Sequence, residues 1–479
     1  MANLLATLVS SAGTLEAYGR VLETAQNNVA NASTPGYAKQ RLELYALPFD
    51  PQGGVTGGVR AGKLVTARNE FAEQAVRQQT SGMGYQQQLV DSLTVIQSNF
   101  DISGNQGIPQ ALNNLLQSFS AWGATPDNQA ARQTVVQRAT DLARSFQQSS
   151  VTLSARASDT EQQIGQTVDQ VNQLVSEIQG YNHIAMQGNK ADSGLNARMH
   201  AALDELSTLA DVNATFQSDG TVSLMLNGET PLLLEDKQFT ISSSLYQPQE
   251  PTPTNANGPA NVRIQGSDGS DITSKTTGAQ LGALLHLRNQ ILPSFIGDAY
   301  QPGDLNNMAK QLADRVNELL TSGNITDGPP AQAGVPLFTY NTSDATATAA
   351  SLSVDPSVTP DQLAAISPGP PSVSNGVPLA LSALASPIDD ADKVKGLSFS
   401  QFYGQLAGRV GTALNDATNN QEVQQSLLSQ AKEMRQQYQG VSLDEEATIL
   451  MQFQRAYQAT SKFLSVLDQL TENAINILR

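Results

Sequence analysis

The first thirty residues place apolar side chains at alternating steps of three and four positions. This spacing forms one seam along a helix that packs against another helix. The helix-breaking pair Pro35-Gly36 follows shortly after the seam ends. We therefore predict a helix that stops near Asn31. Its seam residues are Met1, Leu4, Leu8, Ser11, Leu15, Tyr18, Leu22, Ala25 and Val29.

The last forty residues repeat this design. A break is predicted at Gly440-Val441-Ser442, and no proline or glycine follows Gly440. We therefore predict one long amphipathic helix that runs to the end of the chain. Its wide apolar stripe contains Ile449, Leu450, Phe453, Tyr457, Phe463, Leu464, Leu467, Leu470, Ala474, Ile477 and Leu478.

Two such helices at the chain ends raise the question of what covers them. Burying seven to ten large apolar side chains contributes on the order of 10–20 kcal/mol. Ordering the same segments costs about 1–2 kcal/mol per residue, which is a comparable sum. We expect the end helices to be loose in a monomer and rigid when neighbouring molecules cover them. The alternative is that the two helices pair with each other inside one globular fold. The two explanations are compatible, because a pair of helices still leaves an outer face.

The interior changes character several times along the chain. Residues 67–210 have mostly helical spacing, with breaks near 104–109, 123–126 and 188–194. Residues 278–322 and the segment from Phe399 onward are helical as well. Residues 323–397 are rich in Pro, Gly, Ser and Thr, and we expect loops with little regular structure there.

Two stretches have β character. Residues 38–66 mix short alternating pieces with glycines, which indicates strands and an extended loop. Residues 211–277 contain short β-prone runs separated by Asp219-Gly220 and Asn227-Gly228, dipeptides that favour tight hairpin turns. A loop rich in Pro and Asn follows at 247–260. We predict a small β domain inserted into a helical protein.

Composition narrows the classes of function. The chain has 479 residues, and its 27 basic and 44 acidic residues give a net charge of −17. Such a charge repels phosphate backbones, so we expect no nucleic-acid binding. Charged residues are only 15% of the chain, and amides, hydroxyls and alanine replace them. This surface is easily desolvated, which suits a subunit covered by its neighbours, and the same composition also fits a soluble acidic protein without such contacts.

The sequence contains no cysteine, which excludes disulfides and cysteine-based zinc sites. The N-terminus lacks the basic and continuous apolar regions of a Sec signal peptide. No apolar run approaches the ~20 residues that span a bilayer, so we expect no membrane insertion.

Two features imitate catalytic or nucleotide-binding motifs. Gly57 to Lys63 fits G-x-x-x-x-G-K, but Leu64 stands where a phosphate-binding loop has Ser or Thr, and no helix pattern follows. We interpret it as a glycine-rich turn. The histidines are His183, His200 and His286, and none lies in a known metal or nucleophile motif. We predict no catalytic, cofactor-binding or metal-binding residues, no cofactor and no enzymatic activity.

A motif follows the first helix directly. Asn28, Ala30, Asn31, Thr34, Pro35, Gly36 and Tyr37 spell N-x-A-N-x-x-T-P-G-Y. Asparagines near a helix end can bond stranded carbonyls, and Pro-Gly turns the chain. The motif resembles the N-terminal signature of the axial proteins of the bacterial flagellum, which form its rod, hook and hook-associated parts.

The C-terminus and the interior resemble the same family. The last helix carries its L-x-x-E…Q-x-A-Y core at Leu443, Glu446, Gln454, Ala456 and Tyr457. The S-L-D-E-E form of this helix start is similar to the hook-associated protein 1 branch of the family. So are the interior stretches, which rod and hook proteins lack: 126–146, 164–182, 278–296 and 305–320.

The resemblance implies a mainly α fold with a β insertion, in which the chain folds back on itself. The terminal helices of residues 1–60 and 440–479 would pair in an inner layer. A split helical-bundle domain would comprise 61–210 and 278–439, and the small β domain 211–277 would lie outermost. The assembly helices would act through Leu8, Leu15, Leu22, Leu450, Phe453, Tyr457, Leu464 and Leu467.

The resemblance also implies location and partners. Copies would form a homo-oligomeric, ring-like zone between the hook and the filament. Hook protein would lie on one side and a second junction protein, hook-associated protein 3, on the other. An export chaperone would bind the C-terminal helix before export through the flagellar type III channel to the cell exterior. Two alternatives stay open: another axial subunit from the hook or distal rod, and a surface adhesin that uses the β insertion.

Overall fold

The computed structural model describes residues 2–50, 55–100, 106–189, 192–247, 253–328 and 330–477. Met1 and Leu478 of the two predicted stripes lie outside these residues. So do parts of the predicted breaks near 104 and 190 and of the loop near 250.

Long helices dominate the described chain, as the apolar spacing predicted. The helices are α1 (Ala2–Ala30), α2 (Glu70–Gln97), α3 (Gly107–Ala124), α4 (Gln129–Ile184), α5 (Ser193–Leu209), α6 (Ala279–His286), α7 (Leu292–Ile296), α8 (Asp304–Thr321), α9 (Thr348–Ser351), α10 (Gly376–Ala383), α11 (Phe399–Gln439) and α12 (Leu443–Ile477). Short π-helical turns follow α4 at Ala185–Asn189 and α6 at Leu287–Ile291.

The strands are short and form small antiparallel sheets. They are β1 (Gln40–Ala46), β2 (Phe49–Asp50), β3 (Val55–Thr56), β4 (Val59–Thr66), β5 (Val212–Phe216), β6 (Val222–Leu226), β7 (Thr230–Leu234), β8 (Lys237–Gln238), β9 (Ser242–Tyr246), β10 (Asn261–Gln265), β11 (Asn324–Thr326), β12 (Gln332–Ala333), β13 (Phe338–Thr339) and β14 (Ser353–Val354). The largest sheet among them has the order β5-β6-β7-β8.

The chain forms two compact units. Unit 1 comprises Met1–Met83, Val171–Phe239 and Gln424–Arg479, and unit 2 comprises Gly84–Gln170 and Thr240–Val423. The three domains predicted from the sequence group the residues differently, because they separate 211–277 from both termini. That three-domain division stays a prediction.

Unit 1 brings the two ends of the chain together. Tyr18 in α1 packs against Phe453 in α12, and Lys39, beyond the end of α1, pairs with Glu445 near the start of α12. The two helices are therefore antiparallel. Strands β1 and β4 form a hairpin that lies along α1.

The predicted β domain at 211–277 is two separate sheets. Strands β5 to β8 form a meander in unit 1, while β9 and β10 pair with each other in unit 2. Asn227 and Gly228 join β6 to β7 and both have positive φ, as a tight hairpin turn requires. The predicted turn dipeptides lie only between β5, β6 and β7, so no turn signal joins β8 to β9.

Unit 2 is organised around one large apolar core. Its fully buried side chains include Leu112, Leu115, Phe119 and Trp122 of α3, Leu142 and Phe146 of α4, Leu305, Met308 and Leu312 of α8, and Phe399 and Phe402 of α11. The segment 323–397, for which the sequence predicts loops with little regular structure, contains strands β11 to β14 and helices α9 and α10. It contributes Leu337, Phe338, Leu352, Leu363, Leu381 and Val394 to this core.

Candidate functional site: the terminal helix pair and the loop that anchors it

The seam between α1 and α12 brings aromatic side chains close to the partner helix. The rings of Tyr18 and Phe453 meet edge to face at 5.5 Å, and Gly19 of α1 lies beside the Tyr457 ring. Small residues on one helix let the aromatic ring of the other come close. The seam thus covers one face of each helix within a single chain.

The predicted assembly residues fall at different depths of this seam. Leu467 is buried, and Tyr457 is the most exposed of the set at 37%. Val29 is exposed, and Asn28 takes the buried position beside it. The half-buried members are Leu8, Leu15, Leu22, Leu450, Phe453 and Leu464.

The pair leaves a second apolar face uncovered. Phe463, Val466 and Leu470 follow the i, i+3, i+7 spacing of one helix face and are each about half exposed. Leu5 and Val9 are exposed on α1, and the antiparallel register from Tyr18–Phe453 places them alongside 462–466. We call these five residues the outward face. Two helices cannot cover both faces of each other, so the outward face stays open in a single chain.

Asn28, the first residue of the motif, ties the end of α1 to the start of β1. Its side-chain amide donates to the carbonyl of Gln40 at 2.9 Å, and its Oδ1 accepts from the Gln40 N–H at 2.9 Å. The Tyr37 hydroxyl also donates to Oδ1 at 2.8 Å. One buried amide therefore replaces a missing strand partner and fixes the direction in which the hairpin leaves α1.

The next motif residues close the C-terminus of α1. The Asn31 side chain donates to the Asn27 carbonyl at 3.0 Å, which is the role that the sequence suggested for such an asparagine. Thr34 in turn donates to Asn31 Oδ1. Ala30 and Pro35 are exposed and complete the turn.

Gly36 docks the motif loop on α5. Its φ is +71°, and a Cβ added there would lie 2.2 Å from the carbonyl oxygen of Ala197. Only glycine permits both this backbone conformation and this approach. The Gly36 carbonyl accepts from Arg68 Nη2 at 2.6 Å, and Arg68 Nε donates to Asn196 Oδ1 at 3.0 Å.

Arg68 belongs to a buried charge cluster that joins four segments of unit 1. It forms an ion pair with Glu73, whose other oxygen lies 3.1 Å from Arg435 Nη1. Arg435 also pairs with Asp204 of α5 at 2.7 Å. Gln439 donates to Glu73 at 2.8 Å, and its own carbonyl accepts from the Lys39 N–H at 3.0 Å. The cluster therefore links the motif loop, α2, α5 and α11.

The protonation states of this cluster follow from burial and neighbouring charge. Burial would raise the pKa of Glu73, but Arg68, Gln439 and Arg435 together hold it below its ordinary value. Burial lowers the pKa of Arg68, and Glu73 opposes that shift. Burial, and then the charges of Arg68, Arg77 and Arg435, hold the pKa of His200 well below 6.5. His200 is therefore neutral at neutral pH.

His200 should make the stability of the protein depend on pH. Its ring stacks on Phe216, and neither ring nitrogen has a hydrogen-bond partner among the described groups. Unfolded His200 binds a proton below about pH 6.5, whereas folded His200 does so only at lower pH, so stability falls as pH decreases from 6.5. One such proton changes the unfolding free energy by at most about 1.4 kcal/mol per pH unit.

Urea unfolding between pH 7.5 and 5.5 measures this slope. His286 has a pKa lowered by burial and contributes a slope of the same sign. We therefore expect the slope to be smaller in His200→Leu than in the parent chain. Equal slopes in the two proteins would contradict this assignment.

The charge cluster was not predicted from the sequence. Arg68, Glu73 and Arg435 are charged residues in helical or loop segments, and such residues usually face solvent. A weak signal existed for Gly36, because a glycine after proline in the motif indicates positive φ. No sequence pattern indicated that α5 receives it.

The residues of the glycine-rich stretch that resembles a phosphate-binding loop have structural roles. Gly57 and Gly58 both have positive φ, and a Cβ on Gly58 would lie 2.5 Å from Ser10 Oγ, so these glycines let the hairpin approach α1. Gly62 and Lys63 lie in strand β4. Within the described ranges, no cluster of three acidic or histidine side chains could hold a metal ion, and no helix is both long and apolar enough to span a bilayer.

Comparison with known protein families identifies the family of this chain. A family model described as the flagellar hook-associated protein FlgK helical domain matches residues 93–338, slightly more than half of the chain. The chain belongs to this family. It is accordingly a flagellar protein, and its family is a structural one. A second model, the flagellar basal body rod FlgEFG protein C-terminal region, matches residues 435–477, which contain α12.

Individual relatives agree with the family. Flagellar hook-associated protein 1 of Bacillus subtilis (strain 168) is 25% identical over 499 aligned residues, which cover 96% of both chains. The solved structure of the flagellar hook junction protein FlgK from Burkholderia pseudomallei superposes with a TM-score of 0.60 at 16% identity. It covers 76% of this chain and 100% of that one. The mainly α fold with small sheets is thereby confirmed.

Proposed function

We propose that the chain is a structural subunit that joins the flagellar hook to the filament and assembles through α1 and α12. The outward face carries this proposal. Covering these five half-exposed apolar side chains would contribute roughly 5 kcal/mol of favourable free energy to assembly. A single chain does not gain this free energy, because the five side chains stay open to water. Residues 435–477 match the C-terminal region of rod proteins, so Phe463, Val466 and Leu470 of the outward face lie on a part of the chain shared with other axial subunits.

The partners follow from the same face and from the names of the relatives. We propose a homo-oligomeric ring-like zone of copies, with hook protein on one side and hook-associated protein 3 on the other. A flagellar export chaperone would cover α12 before assembly, since an apolar face in the cytoplasm needs cover. The terminal helix pair would form the inner layer of the junction. Export through the flagellar type III channel would bring the chain outside the cell.

The role requires no catalysis, and we propose that the chain is not an enzyme. Glu73 and His200, whose pKa values are both lowered, lie in the buried cluster rather than in an open cleft. Structural ion-pair networks perturb pKa values as active sites do. Here the perturbation accompanies a network that holds the motif loop in place.

Gold-labelled antibody against the chain tests this function on isolated flagella. We expect labelling confined to the boundary between hook and filament, and loss of filaments and of swimming when the gene is deleted. Labelling along the hook or the distal rod would assign the chain to another axial position. Normal motility of the deletion strain, with loss of binding to a surface, would favour the adhesin alternative.

A further inference from the structure

The motif loop meets α5 in the helical turn that carries His200. A Cβ added to Gly36 would lie 2.2 Å from the Ala197 carbonyl oxygen and 2.9 Å from the Ala201 nitrogen. His200 stands between these two positions in the chain, and its side chain is 1% exposed. The contact of the motif loop and the buried histidine therefore share one turn of α5.

The His200 ring is enclosed by groups from other segments of unit 1. It stacks on Phe216 of β5 with the ring centroids 4.8 Å apart. Glu73 Oε1 of α2 lies 3.7 Å from its Nδ1. Neither ring nitrogen has a hydrogen-bond partner among the described groups. The ring is therefore packed like an apolar side chain, and burying its charged form is costly.

A proton on His200 would add positive charge to a site that already contains three guanidinium groups. These belong to Arg68 ahead of α2, Arg77 of α2 and Arg435 of α11. Two carboxylates also face this site, Glu73 of α2 and Asp204 one turn further along α5. Glu73 already pairs with Arg68 and Arg435, and Asp204 pairs with Arg435. Neither of these two carboxylates is therefore free to balance an imidazolium.

Arg68 is the residue through which the repulsion reaches the motif loop. Burial, and next the charge of Arg68, are the largest causes that hold the pKa of His200 well below 6.5. Arg68 donates to the Gly36 carbonyl at 2.6 Å and to Asn196 Oδ1 at 3.0 Å. An imidazolium at His200 therefore repels the side chain that holds the motif loop on α5.

We propose that protonation of His200 opens the motif loop away from α5 while the rest of unit 1 stays folded. The open loop lets water reach the ring and lets Arg68 move away from the added charge. Opening on the side of Phe216 would cost more, because five residue pairs join β5 to β6, whereas one hydrogen bond joins Arg68 to Gly36. The proposal concerns the isolated chain, so it does not depend on the proposed function.

Thiol labelling of the purified chain tests this opening, because the sequence contains no cysteine. Ala38→Cys places a thiol in the motif loop where the parent side chain is 2% exposed. Its labelling rate by a pyridyl disulfide is divided by that of Ile388→Cys, a highly exposed site, so that the pH dependence of the reagent cancels. We expect this ratio to rise about twentyfold from pH 7.0 to pH 5.0. A proton that binds only the open form, with an ordinary pKa of about 6.5, shifts the population by that factor.

Val212→Cys is the matched control. It places a thiol at a buried position of β5, the strand that carries Phe216. Its labelling ratio should stay constant between the two pH values, because the sheet stays closed. His200→Phe keeps a ring at this position but binds no proton. In that background the ratio for Ala38→Cys should also stay constant.

Three outcomes would overturn the proposal. They are an unchanged ratio for Ala38→Cys with the native histidine, an equal rise for Val212→Cys, and an equal rise for Ala38→Cys in the His200→Phe background. The second would show that acid opens the sheet or the whole of unit 1. If His200→Phe does not fold, the first two comparisons still decide the proposal, because both retain the native histidine.

Discussion

Replacing Phe463 and Val466 by Asp should remove the chain from flagella and stop swimming, with little change in its own stability. Both side chains lie on the outward face and are 51% exposed. Charges there remain hydrated in the monomer, and exposed substitutions usually change stability by less than about 0.5 kcal/mol. In an assembly the same charges would be buried without partners, which costs several kcal/mol each.

Three measurements check this result: thermal melting of the purified chain, immunoblots of isolated flagella, and swimming in soft agar. Leu467→Asp is the matched variant on the buried side of α12, and it should lower the melting temperature, because it breaks the contact between α1 and α12. Ile388→Asp, at a highly exposed site in unit 2, controls for added charge. Normal swimming of the Phe463→Asp/Val466→Asp variant would exclude the outward face as an assembly surface.

Removing the carboxylate of Glu73 should lower the free energy of unfolding more than the other substitutions proposed for this protein. Glu73 is fully buried and faces Arg68, Arg435 and Gln439. Glu73→Ala leaves the buried Arg68 guanidinium without its anion and leaves Arg435 with Asp204 alone, and breaking a buried ion pair in this way costs about 3–5 kcal/mol. Urea unfolding monitored by circular dichroism measures this loss. The motif loop would also lose the Arg68 that holds the Gly36 carbonyl.

An exposed ion pair of the same unit provides the control. Glu445 pairs with Lys39 but is largely exposed, so Glu445→Ala should cost only about 0–1 kcal/mol. The double variant Arg68→Met/Glu73→Leu removes both charges and should regain part of the loss of Glu73→Ala. If Glu73→Ala unfolds at the same urea concentration as the parent chain, the cluster does not hold unit 1 together.

The helices were predictable because their signal is local. The seam that ends near Asn31 and the stripe that follows Gly440 correspond to α1 (Ala2–Ala30) and α12 (Leu443–Ile477). Apolar periodicity reports which face of a helix needs cover, since neighbours three and four residues apart share a face. It does not report how much of a wide stripe one partner helix covers. The sequence therefore merged Leu467, which is buried, with Phe463 and Leu470, which are exposed.

The motif N-x-A-N-x-x-T-P-G-Y shows, at single residues, that the sequence predicts local structure but not tertiary contacts. Its order of Asn, Pro and Gly predicts a helix end and a turn, and Asn31 and Gly36 have those roles. The pairing of Asn28 with Gln40 spans the motif itself, and the approach of Gly36 to Ala197 joins segments far apart in the chain. Their residue types carry no sign of these contacts.

The sequence by itself determined that this protein is mainly helical, that its two ends are amphipathic, and that it resembles axial proteins of the flagellum. Periodicity, turn residues and motif order are properties of short stretches, so they can be read from the sequence without knowing which segments pack together. Only the tertiary structure decided that the strands of 212–265 separate into two sheets, that Glu73 and His200 are buried together, and which apolar residues stay open. Those outcomes depend on which distant segments meet, because burial is a property of the packed chain and not of any stretch within it.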